Sequence, residues 1–249
     1  MSQSVVITGG GRGIGAAIAR AFHAAGARVF ICSRSDTGLA GSLGKTATFV
    51  AGDVRERGAH ARFARAAVES AGRLDGWINC AGISRWRAAV DVDEAFWNEI
   101  IDTNLKGAFW GCSEAARRLT RGGWIVNISS LAGKRGSANN SVYCASKFGV
   151  NGLTQALAKE LGPSGIRVNA VCPVYVETEG LEKALGEPVS PAGGAGTGTY
   201  LREFAEQNAA LRRLPTGDEI AHTCLFLASE QASAITGQCI NVDCGVLPQ

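Results

Sequence analysis

Tyr143 and Lys147 stand four residues apart in Val142-Tyr143-Cys144-Ala145-Ser146-Lys147, a stretch with helical apolar spacing. That separation brings both side chains out on one helix face. A free phenol ionises near pH 10, and a neighbouring ammonium favours the phenolate, so the pair could move a proton to or from an oxygen nearer neutral pH. Taken alone, the pair also describes many solvated helix faces, and the context decides. The second group lies at the start of the chain, in Thr8-Gly9-Gly10-Gly11-Arg12-Gly13-Ile14-Gly15, followed at once by a helical run. Glycines let a backbone turn tightly and approach a pyrophosphate, while a helix start offers free N–H groups and a positive dipole end. A bare structural turn is the alternative; the position between a strand and a helix favours a nucleotide site.

The elements that must position these groups follow a repeating pattern. Apolar strands are expected near Val5–Thr8, Arg28–Ser33, Thr48–Gly52, Gly76–Asn79, Trp124–Ile128, Arg167–Val171 and Cys239–Val242. Between them, Ile14–Ala25, Ala59–Ser70, Glu94–Leu119 and Val142–Leu161 keep the helical period. This alternation predicts an α/β fold, a Rossmann-like doubly wound parallel sheet of about seven strands with helices on both faces. The 249 residues read as one domain. From Gly186 to Thr199 the rhythm fails: prolines, glycines and small polar residues form a flexible insert before the helical pattern of Tyr200–Leu211. It is either a surface excursion or part of a substrate lid around 179–214, and long loops of this kind are often functional.

Composition narrows the class. Hydrophobic residues make up 46% and charged residues 19% of the chain, which suits a globular protein. A net charge of +3, with basic and acidic residues interspersed, argues against nucleic acid as a partner. No apolar run approaches the roughly 18 to 20 residues of a membrane helix, and the start carries no export leader, so no membrane and a cytoplasmic location are expected. Eight cysteines occur without CxxC spacing, which predicts structural thiols and no metal site.

Thr8-Gly9 with Gly13 and Gly15 resembles the TGxxxGxG signature of the short-chain dehydrogenases/reductases, and the resemblance runs along nearly the whole chain. It implies that Gly9, Gly11, Arg12, Gly13, Ile14 and Gly15 bind a dinucleotide, that Asp53-Val54 contacts the adenine, and that Asn79-Cys80-Ala81-Gly82 is the family's NNAG turn with Cys80 in place of the second Asn; Asn79, Ala81 and Gly82 are assigned to the cofactor. In Asn127-Ile128-Ser129-Ser130 the resemblance places the catalytic serine at Ser130, with Ser129 as the neighbouring alternative. In Asp102-Thr103-Asn104-Leu105-Lys106-Gly107 it makes Asn104 the fourth catalytic residue beside Ser130, Tyr143 and Lys147. The implied mechanism is hydride transfer at a carbonyl carbon with Tyr143 as acid/base, Ser130 polarising the oxygen, Lys147 on the nicotinamide ribose and Asn104 linking a water to Lys147.

After the sixth strand, Cys172-Pro173-Val174-Tyr175-Val176-Glu177-Thr178 resembles the family's Pro-Gly segment, with Val174 replacing the glycine; Pro173, Val176 and Thr178 are assigned to the cofactor. Val174 is either a tolerated variation or a narrowing of the pocket. The ending Ile235-Thr236-Gly237-Gln238-Cys239-Ile240-Asn241-Val242-Asp243 matches the family's ITGQxxxVDGG, with Cys244 for the first glycine. At the end of the second strand, Ser33 takes the place where NAD-preferring relatives carry Asp, and Arg34 follows it; with Arg12, two cations favour NADP(H). Asp36 is the competing feature, able to reach the ribose if its loop folds back. Candidate substrate walls are Ser84, Trp86, Ser130, Val174, Tyr175, Leu181 and Leu185, suited to a moderately hydrophobic ketone or secondary alcohol, cyclic or aromatic. Arg85 and Arg87 either bind a substrate carboxylate or are solvated. A 3-oxoacyl-thioester reductase is the alternative, and a non-catalytic NADP-binding regulator the reading from another class. The resemblance also implies a homo-oligomer, a tetramer or dimer.

Overall fold

The structure, a computed structural model, describes residues 3–120, 122–193 and 196–248. The chain runs β1 (Ser4–Thr8), α1 (Gly13–Ala24), β2 (Arg28–Ser33), α2 (Leu39–Leu43), β3 (Ala47–Ala51), α3 (Arg57–Ala71), β4 (Gly76–Asn79), α4 (Glu94–Ile101), α5 (Gly107–Arg118), β5 (Trp124–Ile128), α6 (Ser141–Leu161), β6 (Arg167–Pro173), α7 (Glu179–Leu185), α8 (Thr197–Asn208), α9 (Gly217–Ala228) and β7 (Cys239–Val242). The seven strands pair in parallel in the order β3-β2-β1-β4-β5-β6-β7. The order reverses between β1 and β4, and in such sheets the crevice outside the strands' carboxyl ends at that point is where ligands bind.

Each strand feeds two cores, because successive side chains point to opposite faces. Val5, Ile7, Val29, Ile31, Ile78, Trp124 and Val126 pack with α1 and α9. Val6, Phe30, Trp77 and Ile125, which alternate with them, pack with residues of α3, α5 and α6 such as Phe63, Cys112 and Leu157. Burial on both faces accounts for the near-continuous apolar runs in the sequence. Local signals fix the helix starts: Asp93 accepts from the Phe96 N–H at 2.7 Å to cap α4, and Thr216 with Glu219 forms a capping box on α9.

The expected single helix over 94–119 is interrupted. Asp102–Lys106 forms a π-helical turn between α4 and α5. At its centre the Asn104 amide accepts from Ile83 N–H (2.8 Å) and donates to Ile83 C=O (2.9 Å), which ties the turn to the loop after β4. The helical pattern expected at Tyr200–Leu211 is α8, three residues earlier, and α7 ends immediately before the insert begins at Gly186. Gly194 and Ala195 of that insert, and Met1, Ser2 and Gln249, lie outside the described residues. Among the described residues no helix is long and apolar enough to cross a membrane, and no cluster of His, Cys, Asp or Glu could hold a metal.

Candidate active site

A cleft of about 960 Å³ opens at the carboxyl ends of β1, β4, β5 and β6. Its floor at one end is the glycine turn. Thr8 Oγ1 accepts from the backbone N–H groups of Cys80 (3.2 Å) and Ala81 (3.3 Å), drawing the turn after β4 against the turn after β1. Gly9 has φ +68°, and a Cβ there would stand 2.7 Å from Ala81 Cα, so only glycine allows this backbone approach. Arg12, at the N-cap of α1, makes no side-chain cap bond, and the first backbone bond into the helix runs from Ala16 N–H to Arg12 C=O (3.1 Å). The amides before it are left at the cleft floor, where they fit a dinucleotide pyrophosphate.

Beside that floor, Thr37 donates to Gly11 C=O (3.0 Å) and Ser33 donates to Ser35 C=O (2.8 Å), which shapes the loop after β2. Arg12 and Arg34 border the cleft, are exposed, and have no ion-pair partner among the described residues. Asp36 is turned elsewhere: its carboxylate accepts from Gly38 N–H (2.8 Å) in its own loop, and it does not border the cleft. Asp53 does border it, with Arg55 Nη2 at 2.6 Å; that hydrogen-bonded guanidinium holds the carboxyl below its usual range, and Arg34 adds to the effect.

Ser130, Tyr143 and Lys147 meet deeper in the cleft. Ser130 follows β5 and caps the short turn Leu131–Gly133, its Oγ accepting from Ala132 N–H (3.1 Å). Burial pushes the Tyr143 phenol up to about 12, while the Ser130 hydroxyl pulls the other way. Lys147 is 6% exposed, lies 5.7 Å from the Tyr143 ring centre and donates to Ile128 C=O at 2.9 Å; burial brings its amine down to about 8. Both shifts run against the expected pull of the ammonium on the phenol towards neutral pH. Desolvation penalises the charged form of both groups and is the largest cause of each shift. Ser129 is not the partner of the phenol: it is buried and donates to Lys147 C=O (3.3 Å).

Asn104 lies behind the cleft rather than in it. Besides its two bonds to Ile83, it donates to Ser146 Oγ (3.1 Å), and it is 2% exposed. A Cβ on Gly82 would be 3.3 Å from its Oδ1 and 3.6 Å from Lys147 Nζ, which puts both groups beside the turn after β4. Asn79, Pro173 and Leu185 also fall outside the cleft lining. Asn79 is locked in the sheet, accepting from Trp77 Nε1 (2.8 Å) and donating to Asn127 Oδ1 (2.9 Å). Pro173 is buried at the end of β6, and Leu185, at the end of α7, is fully buried against Trp86, Ala184 and Leu201. The other cofactor-side residues assigned from sequence line the cleft, Thr178 among them, whose Cγ2 lies 3.2 Å from where a Cβ on Gly13 would stand.

On the far side, Ser84, Trp86, Val174, Tyr175 and Leu181 line the cleft, together with Phe204. Tyr175 is wedged by Phe204 (ring centres 4.9 Å apart) and its hydroxyl lies 3.3 Å from that of Tyr200. Arg85 and Arg87 are already paired: Arg85 with Glu187 (2.9 Å) and Glu99 (3.0 Å), Arg87 with Asp93 (3.3 Å). The arrangement presents, in one cleft, an anion-binding backbone, a hydroxyl, a phenol and an amine, the parts needed to bind a dinucleotide and pass a proton to an oxygen.

A sequence model described as "Enoyl-(Acyl carrier protein) reductase" matches residues 9–247. A "Monensin polyketide synthase putative ketoacyl reductase" of Streptomyces virginiae is 36% identical over 99% of this chain and 97% of its own length. The "3-oxoacyl-[acyl-carrier-protein] reductase FabG" of Chlamydia muridarum is 34% identical, covering 99% and 98%. The chain belongs to the short-chain dehydrogenase/reductase family. It is an oxidoreductase of that family, acting on keto or hydroxyl groups. The crystal structure of a single-residue variant of an actinorhodin polyketide ketoreductase with NADPH superposes with a TM-score of 0.90 at 33% identity, covering 98% of this chain and 97% of the other.

Sequence reasoning missed Thr37, Arg55, Glu187 and Phe204 in this short-chain dehydrogenase/reductase site. Arg55 carried a signal, lying two residues after Asp53. The other three act through contacts with distant segments that no local pattern announces. The insert is also less loose than its composition suggests: Ser190 donates to Leu185 C=O (2.5 Å), and Val189 C=O accepts from Asn139 (3.2 Å).

Proposed function

We propose that this chain is an NADP(H)-dependent ketoreductase that interconverts a ketone and its secondary alcohol, with a moderately hydrophobic cyclic or aromatic carbonyl compound as substrate. One observation carries the reading: Ser130, the phenol of Tyr143 and Lys147 line the same cleft as the open amides of α1, with the Lys147 amine 5.7 Å from the Tyr143 ring centre. The dinucleotide, when bound, supplies or accepts the hydride. The first turn of α1 holds the pyrophosphate, Arg12 and Arg34 the 2′-phosphate, Asp53 and Val54 the adenine, and Val176 and Thr178 the nicotinamide end. In the direction of reduction, the phenol of Tyr143 gives its proton to the substrate oxygen, while Ser130 donates a hydrogen bond that orients it. A phenol held protonated by burial is ready for this direction. Lys147 holds the nicotinamide ribose and, once hydrogen-bonded there, keeps its charge beside the phenol. Asn104 acts at one remove, fixing Ile83 and the backbone behind Lys147. Tyr175, Phe204 and Trp86 support an aromatic or alicyclic substrate, and 179–214 is the lid. The structural neighbour holds NADPH, which supports the cofactor.

A 3-oxoacyl thioester is the second reading, favoured by the ketoacyl reductase names of the relatives. The exposed Trp97, Phe109 and Phe148 on α4, α5 and α6 support a homo-oligomer built through those helices. The test is NADPH oxidation with free cyclic and aromatic ketones against 3-oxoacyl thioesters. Tyr143→Phe should lose about 10²–10⁴-fold in turnover while still binding NADPH. Near-full turnover by that variant would remove the acid/base role, and no turnover of any carbonyl by the unaltered protein would favour a regulator.

A further inference from the structure

The described part of the insert is fastened to the opposite wall of the cleft by one carboxylate. Glu187, two residues after α7, accepts from Arg85 Nε through Oε1 (2.9 Å) and from the backbone N–H of Trp86 through Oε2 (2.7 Å), reaching across 101 and 102 residues of sequence. Hydrogen bonds to an ionised acceptor are about twice as strong as neutral ones, and both oxygens are used. The second half of the contact is apolar. Trp86 is 5% exposed and packs with Ala184 and Leu185 of α7 and Leu201 of α8. Arg85 is held from its other side by Glu99 of α4 at 3.0 Å. Glu187, Arg85, Trp86 and Glu99 all border the cleft at its substrate end. The wall that carries Trp86 and the segment that follows α7 therefore share a polar clamp and an aromatic plug.

We propose that Glu187 is a positioning residue that determines substrate specificity, by clamping the Arg85–Trp86 wall to the segment between α7 and α8 and so setting the width of the pocket. It touches neither the reacting groups nor the glycine turn. Removing it frees Trp86 to swing and lets larger ketones in, while small ones lose their close fit. The inference rests on the ketoreductase reading above.

The experiment compares the unaltered protein, Glu187→Ala and Glu187→Gln with NADPH and two ketones of different size, cyclohexanone and 2-tetralone, alongside amide hydrogen exchange. Glu187→Ala should raise KM for cyclohexanone about tenfold with kcat within about threefold, and should move the ratio of kcat/KM values towards 2-tetralone by about fivefold or more. Exchange over residues 84–88 and 183–193 should quicken, with NADPH affinity unchanged. Glu187→Gln keeps an acceptor for the Trp86 N–H and should recover much of the selectivity. Unchanged size preference and exchange in Glu187→Ala would overturn the clamp, as would a loss of NADPH affinity parallel to the loss of ketone affinity. If the unaltered protein oxidises NADPH with neither ketone but binds it, the ketoreductase reading fails first, and exchange alone decides whether the clamp exists.

Discussion

Cofactor choice offers the sharpest test of the adenosine end of the cleft. Arg34 is exposed at the carboxyl end of β2 and, with Arg12, borders the cleft without an ion-pair partner among the described residues. Replacing it by Asp removes a charge-assisted bond to a 2′-phosphate, worth about 1.5 kcal/mol at a solvent-facing position, the low end of the range. The new carboxylate repels the phosphate by about 1 kcal/mol at roughly 6 Å in a water-like dielectric. It can also accept from the ribose hydroxyls of NADH. Together these favour NADH by about 3 kcal/mol, a swing of roughly 100-fold in the ratio of kcat/KM for NADPH over NADH. Arg12→Ser should move the same ratio in the same direction by about tenfold. Asp36 does not substitute for the missing acid, because its carboxylate is engaged with Gly38 N–H. The assay is steady-state reduction of one ketone with each cofactor, with the melting temperature as a control. A ratio that moves less than threefold in Arg34→Asp, or an unaltered protein that prefers NADH, would refute the assignment of these two arginines.

Two further substitutions probe stability. Cys244 has φ +55°, a left-handed conformation that costs an L residue about 1 kcal/mol, and it stands where the family pattern has glycine. Cys244→Gly should therefore raise the melting temperature by about 2 °C, and Cys244→Ala should not; equal values for the two would show that the backbone is unstrained there. His60 is buried against Phe63 and Trp77, with Nε2 donating to Val54 C=O (2.8 Å) and Nδ1 without a partner among the described residues. Burial lowers it from the ordinary 6.5, so the unfolded chain takes up the proton first as pH falls. Its contribution to stability is whole above about pH 6.5 and is lost as the pH drops through the lower folded value. His60→Gln, which can keep the bond to Val54, should lose less melting temperature between pH 7.5 and pH 5.5 than the unaltered protein, and an equal loss in both would place the acid sensitivity elsewhere.

The parts of the molecule legible in the sequence are those written in local patterns. All seven strands fall within a residue or two of their expected positions because burial on both faces leaves an apolar run that any window detects. The glycine turn and the four-residue spacing of Tyr143 and Lys147 are equally local, and both meet in the cleft. Failures begin where a residue's partner is distant in the chain. The π turn at Asn104 breaks a helix whose apolar spacing runs on unbroken, since its amide is bonded to Ile83, 21 residues earlier. Asn79 and Leu185 lie beside cleft residues in sequence and yet face inward, because strand and helix alternation sends neighbours to opposite sides.

The spacing of Tyr143 and Lys147 also could not give the sign of their pKa shifts. Four residues specify that a phenol and an amine are adjacent, but the water excluded around them depends on segments distant in the chain that pack around them. Desolvation raises the first and lowers the second. The same reasoning separates reaction from substrate. Hydride and proton transfer need groups on rigid elements at fixed spacing, so they leave motifs. The pocket wall depends on pairs such as Glu187 with Trp86 and Tyr175 with Phe204, joined only when the chain folds. Substitutions that keep every motif intact can therefore change which ketone fits, and kinetics on wall variants will report the substrate more directly than further work on the reacting groups.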